Sequence, residues 1–315
     1  MPAPASATLR AKSRRVVEFI VTGPLIFYSK SFYSNPKTAL LIFSLGGWIA
    51  MAAPIQVHGH RGARAMLPEN TIPAFEYAID QGVDAIEMDV AVTKDDVLVI
   101  SHDPVLDPEI CRGQGGNSKI IRELMFEELR RWDCGSLVNP HFPKQKAVPN
   151  THIPALEQVL ALANRGNFQF NIEAKISKDH PQYTPAPERF ADLLLQAIDR
   201  HKLRARVIVQ SFDFRILKAM KTLAPDVRLA ALDEDEKLGD FVTVARSAGA
   251  KIIAPEKGLV TPSRVVAAHE AGLQVIPWTA NTPQEWDALT AAGVDGIISD
   301  DPAELIAYLK QKKLR

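Results

Sequence analysis

The sequence predicts an α/β chain folded as a (β/α)8 TIM barrel with an insertion after the second strand. Three observations predict it. Between residues 54 and 315, short β-branched runs alternate with amphipathic helical stretches. The alternation repeats eight times, a count and length that suit a barrel. Gly82, Gly249, Gly272 and Gly293 stand where helices should stop. A doubly wound open sheet is the runner-up, because a tally of strands does not show closure.

Strands are expected at Ile55–His58, Ala85–Val92, Phe168–Ala174, Arg206–Ser211, Val227–Leu232, Lys251–Ala254, Gln274–Thr279 and Gly296–Ser299. Val97–Ser101 extends the second by a hairpin through Lys94-Asp95-Asp96. Helices are expected at Ile72–Gln81, Ala155–Asn164, Glu188–His201, Phe214–Leu223, Phe241–Ala248, Pro262–Ala271, Pro283–Ala292 and Ala303–Lys310. Asn70 and Thr71 are candidate caps for the first helix, with Pro73 inside its first turn. Residues 103–153 break the rhythm. They are rich in Gly, Pro, Asn and charge, with one expected helix around Met125–Trp132. An insertion there would overlie the C-terminal face as a lid or recognition element, or be passive elaboration.

Residues 1–53 form a separate segment. Arg10, Lys12, Arg14 and Arg15 give a basic lead, and an uncharged run from Ala39 to Ala53 ends Ala50-Met51-Ala52-Ala53-Pro54. That pattern matches a secretory signal or membrane anchor, and the run is short for a spanning helix. A helix packed outside the barrel is the plainer reading. The expectation is an extracytoplasmic (periplasmic or secreted) or membrane-anchored protein, with possible membrane association through this segment. Cys111 and Cys134 are the two cysteines. In a cytosolic protein they would be free thiols, whereas export leaves a disulfide open.

The chain is 46% hydrophobic and 23% charged, with 37 basic and 37 acidic residues. Zero net charge gives no broad draw to nucleic acid. No zinc-finger spacing or Walker-type glycine loop is present.

Charged residues occupy strand positions that packing alone would fill with apolar ones. Glu87 and Asp89 lie two apart, so alternation puts both on one face; Glu173 and Lys175 repeat the pattern on the third strand. Two acids side by side on an inward face repel, and a divalent cation removes that cost. Glu87, Asp89 and Glu173 offer hard oxygen ligands suited to Ca²⁺ or Mg²⁺, with Mn²⁺ possible. The plainer alternative is an ion-pair network neutralised by Arg61 and Lys175. His60 and His102 each follow a strand, which places them near one rim as a candidate general acid and base. His58 shares His60's face and is read as a support. Gln210 and Trp278, near later strand ends, are candidate substrate contacts; Phe212 is read as packing.

His60-Arg61-Gly62, Pro68-Glu69-Asn70-Thr71, Glu87-Met88-Asp89-Val90, His102-Asp103-Pro104, Asn171-Ile172-Glu173-Ala174-Lys175 and Gly293-Val294-Asp295-Gly296-Ile297-Ile298-Ser299-Asp300 together resemble the glycerophosphodiester phosphodiesterase family. The resemblance runs in order from about Ile55 to Tyr308. It implies a (β/α)8 barrel, a divalent cation on Glu87, Asp89 and Glu173, acid–base catalysis by His60 and His102, and phosphate contacts from Arg61 and Lys175. It further implies hydrolysis of a small glycerophosphodiester to glycerol 3-phosphate and an alcohol through a cyclic phosphate. A lysophospholipase D-type activity on membrane lipids is the alternative. A non-catalytic barrel would lack one of these groups, and a metal-dependent amidohydrolase would not follow His58-Gly59-His60 with Arg61-Gly62.

Overall fold

β-Branched runs buried on both faces pair in parallel, and the helices between them cover the outside. The structure, a computed structural model, describes residues 53–113 and 116–315. Apart from Ala53, the N-terminal segment expected at residues 1–53 lies outside these residues. The barrel strands are β1 (Gln56–Gly59), β2 (Ala85–Val92), β3 (Gln169–Ala174), β4 (Val207–Ser211), β5 (Arg228–Asp233), β6 (Ile252–Pro255), β7 (Gln274–Val275) and β8 (Gly296–Ser299). Each pairs in parallel with the next from β1 to β7, and β8 pairs with β1 in the register Gln56↔Gly296 to Gly59↔Ser299. The seam between β7 and β8 is closed by three backbone bonds. Asp295 N donates to Val275 O (2.9 Å), Ile298 N to Pro277 O (3.0 Å) and Ala280 N to Ile298 O (3.1 Å). The open-sheet alternative is thereby excluded.

The covering helices are α1 (Ile72–Gln81), α2 (Leu156–Leu160), α3 (Pro187–Arg200), α4 (Phe214–Leu223), α5 (Phe241–Ala248), α6 (Pro262–Glu270), α7 (Pro283–Ala292) and α8 (Pro302–Gln311). Among the described residues, no helix is long and apolar enough to cross a membrane. Thr71 caps α1 by accepting from Ala74 N, a contact worth about 1 kcal/mol. The outward strand residues, such as Ile86, Met88, Phe170, Ile172 and Val209, pack with these helices in the main core. Ile208, Ala230, Ile252, Ile276 and Ile298 form a second apolar cluster, on the alternate, inward positions of β4 to β8.

Three local expectations are corrected. The seventh strand is shorter than Gln274–Thr279, since Pro277 has no N–H for a ladder; Trp278 still bridges to Glu256. The second helix gives way to a 3₁₀ turn over Ala161–Arg165. In the insertion, the helix expected at Met125–Trp132 covers only Phe126–Leu129, and Trp132–Asp133 pairs with Arg112–Gly113. The Cys111–Cys134 disulfide flanks that ladder and resolves the cysteine question. Leu106, Ile121, Leu124, Leu129, Trp132 and Ile153 of the insertion pack with the two cysteines, Ala91 of β2 and Val99 of its hairpin into a separate core.

Candidate active site

The loop after β1 is built by close approach. A Cβ on Gly59 would lie 2.2 Å from Gly62 O, and one on Gly62 (φ +85°) would lie 2.7 Å from the Ala74 backbone. Between them Arg61 takes a left-handed conformation (φ 48°), uncommon for a residue with a side chain. The turn aims the Arg61 N–H at Glu87 Oε2, 2.9 Å away. A charge-assisted bond of this kind offsets the strain, which is on the order of 1–3 kcal/mol.

Glu87, Asp89 and Glu173 converge as alternation requires. All three are buried, and one carboxylate oxygen from each lies within 4.8 Å of the other two. Lys175 Nζ stands 2.8 Å from Glu173 and 3.2 Å from Asp89. Arg61 pairs with Asp89 (3.3 Å) and Glu69 (2.5 Å). Asn70 Nδ2 donates to Asp89 Oδ2 at 2.8 Å. Burial, with the charge of Asp89, pushes the Glu87 carboxyl well up. Burial pushes Glu173 up as well, against Lys175. Burial opposes ionisation of Asp89, yet Lys175 and Arg61 together hold it well below the usual range. Four carboxylates thus face two cations, and with all four ionised two negative charges would be uncompensated. Hard oxygen donors at this spacing fit a divalent cation, and this acidic cluster could hold one.

His60 stands at the same place. Its Nδ1 lies 2.6 Å from Asp300 Oδ1, and its Nε2 lies 3.9 Å from Glu87 Oε2. Asp300 also accepts from Arg64 Nε (2.6 Å) and Asn281 Nδ2 (2.7 Å). Burial lowers the His60 pKa to about 4 despite Asp300, so the ring is neutral. A carboxylate only accepts, so the neutral ring carries its proton on Nδ1 and keeps the Nε2 lone pair free. His102 is a third exposed, with Nδ1 3.0 Å from Asp103.

A cavity of about 350 Å³ gathers the expected residues: His60, His102, Glu87, Asp89, Glu173, Arg61, Lys175, Gln210 and Trp278 all line it. Phe212, expected to pack, also lines it and meets Trp278 edge-on at 5.6 Å. Trp278 donates its indole N–H to Ala254 O and stands as a fixed wall. Gln210 is engaged at both ends: its Nε2 donates to Glu87 Oε1 (3.0 Å) and its Oε1 accepts from Asn171 Nδ2 (3.1 Å). His58, fully buried beneath, lies 3.4 Å from Asn171. Sequence reasoning gave no role to Asp300, Arg64 or Asn281 and read Asn70 only as a candidate helix cap. Asp300 could have been found by the rule that found His60, since it too directly follows a barrel strand.

A barrel that gathers acids, cations and two imidazoles at the C-terminal ends of its strands defines a hydrolase of phosphoric diesters. Residues 60–304 match the glycerophosphoryl diester phosphodiesterase family, and the chain belongs to it. A glycerophosphodiester phosphodiesterase of Caldanaerobacter subterraneus is 31% identical over 255 residues, spanning 81% of this chain and 98% of that protein. One from Bacillus altitudinis is 32% identical, over 82% and 99%. A Silicibacter pomeroyi structure assigned to the same family superposes with a TM-score of 0.77 at 29% identity, over 82% and 94%. An Oleispira antarctica phosphodiesterase solved with its product sn-glycerol-3-phosphate shares the fold at a TM-score of 0.69 and 20% identity, over 82% and 97%.

Proposed function

We propose that the chain hydrolyses glycerophosphodiesters to glycerol 3-phosphate and an alcohol, with a divalent cation held by Glu87, Asp89 and Glu173 and acid–base catalysis by His60 and His102. The observation that carries the proposal is their convergence on one cavity. The cation, as Lewis acid, would offset charge on the phosphoryl oxygens. Arg61 and Lys175 bear on the same oxygens from the cavity wall. His60 Nε2, neutral and unprotonated, takes the proton of the neighbouring glycerol hydroxyl as it attacks phosphorus. His102, at the solvent side, protonates the departing alcohol oxygen. The two exchange duties when water opens the cyclic phosphate. Gln210 steadies Glu87, and Trp278 walls the glycerol side.

The relatives named above give no support to a lysophospholipase D reading. The disulfide supports an oxidising, extracytoplasmic location, because such bonds are rare in reducing cytosol. The expected membrane association through residues 1–53 stays part of that proposal and is tested by fractionation; full-length chain solely in the soluble cytosol would defeat it.

The deciding experiment incubates the full chain with a panel of glycerophosphodiesters, with Ca²⁺, Mg²⁺ or Mn²⁺ supplied or chelated. Glycerol 3-phosphate should appear only with metal. Undiminished turnover after exhaustive chelation, with no metal left by elemental analysis, would refute the metal role.

A further inference from the structure

A second cavity, of about 260 Å³, lies between the barrel rim and the insertion. His102, Arg61 and Arg64 line both it and the metal-side cavity, so they form a shared wall. His60, Glu87, Glu173 and Lys175 line only the metal-side one. The far side is insertion: Ile110, the Cys111–Cys134 disulfide and Phe142. A phosphorus atom within reach of both histidines would therefore put one ester arm in each cavity.

The charges of the second cavity are unequal. Arg61 is neutralised by Glu69 and Asp89, and Arg64 by Asp300 while it stacks over Phe142 at 4.9 Å. Asp103 pairs with His102 and also lies within the field of Arg61 and Lys175. The Asp107 carboxylate accepts from Glu109 N at 2.8 Å and has no cationic partner among the described residues. The volume admits a small polar alcohol.

Resting on the function proposed above, the geometry points to this cavity as the subsite of the departing alcohol, with Asp107 setting a preference for an alcohol that carries a positive charge. Disulfide and Phe142 fix the opposite wall. The charge acts on the arm that leaves, and so discriminates among diesters without touching the glycerol phosphate half.

The test compares kcat/KM of the full-length protein for glycerophosphoethanolamine, whose alcohol is cationic, and glycerophosphoglycerol, whose alcohol is neutral. Asp107→Asn should lower the first by about 5-fold and leave the second within about 2-fold, as expected for loss of one partly screened charge. Asp107→Lys should invert the order of the two substrates. Unchanged or equally changed ratios in both variants, with wild-type turnover intact, would overturn the subsite alone. Absence of turnover of every diester by the metal-loaded wild type would overturn the parent reading and the subsite with it.

Discussion

The two halves of the barrel interior are built from opposite chemistries. From β4 to β8, inward positions hold the apolar cluster of Ile208, Ala230, Ile252, Ile276 just past β7, and Ile298, with Arg228 at the start of β5 bonded to Gln169. From β1 to β4, they hold His58, Glu87, Asp89, Asn171, Glu173 and Gln210, nearly all without solvent. The apolar half gains from burial at roughly 25 cal/mol per Å². The polar half loses, because charges leave water and like charges meet. One half stabilises the cylinder so that the other can hold an unfavourable arrangement ready for a cation and an anion. Stability and activity should therefore separate by side.

Variants of the polar half should show the largest effect. His60→Ala and His102→Ala should each cut turnover by roughly 10²–10⁴-fold, measured on folded, metal-loaded protein; near-normal rates in either would remove that residue from the mechanism. On the other side, Ile252→Ala should cost about 2–4 kcal/mol in urea unfolding while kcat falls little. Equal loss of both would mean that the halves are not separable.

A pH titration sharpens the comparison. Burial lowers the His58 pKa to about 4 from 6.5. Between these values the unfolded chain binds a proton that the folded chain does not. Stability is thus full above about 6.5 and falls as pH drops towards 4, by up to roughly 3 kcal/mol. His58→Gln should reduce this slope in chelator-treated protein and leave the share contributed by His60, which burial also lowers to about 4; an unaltered slope would place the titrating group elsewhere. The smallest effect is expected from Glu87→Gln. Burial already favours the uncharged carboxyl, so metal-free stability should change by no more than about 1 kcal/mol, while metal binding weakens. A much larger change in metal-free stability would show that Glu87 is ionised without the metal.

What the sequence made legible follows from periodicity. Glu87 with Asp89, and Glu173 with Lys175, are two-residue spacings on strands, so their common face could be read directly. His60 and His102 were legible as strand-end positions. The support of His60 was not, because Asp300 lies 240 residues away and only closure of the cylinder brings it near. Gln210 was legible as a cavity residue, but its bonds to Glu87 and Asn171 depend on register between β2, β3 and β4. The insertion was least legible, since a cross-link and a two-residue ladder, rather than a repeating pattern, organise it.

His60 leaves β1 and Asp300 leaves β8, the pair of strands that joins the beginning of the barrel to its end. The imidazole proposed as the base is therefore oriented across the last barrel joint to be made as the chain emerges from synthesis. Nascent chains lacking β8 would possess every carboxylate of the metal cluster and still have an unaimed base. On the function proposed above, hydrolytic competence would arrive only once β8 has joined β1.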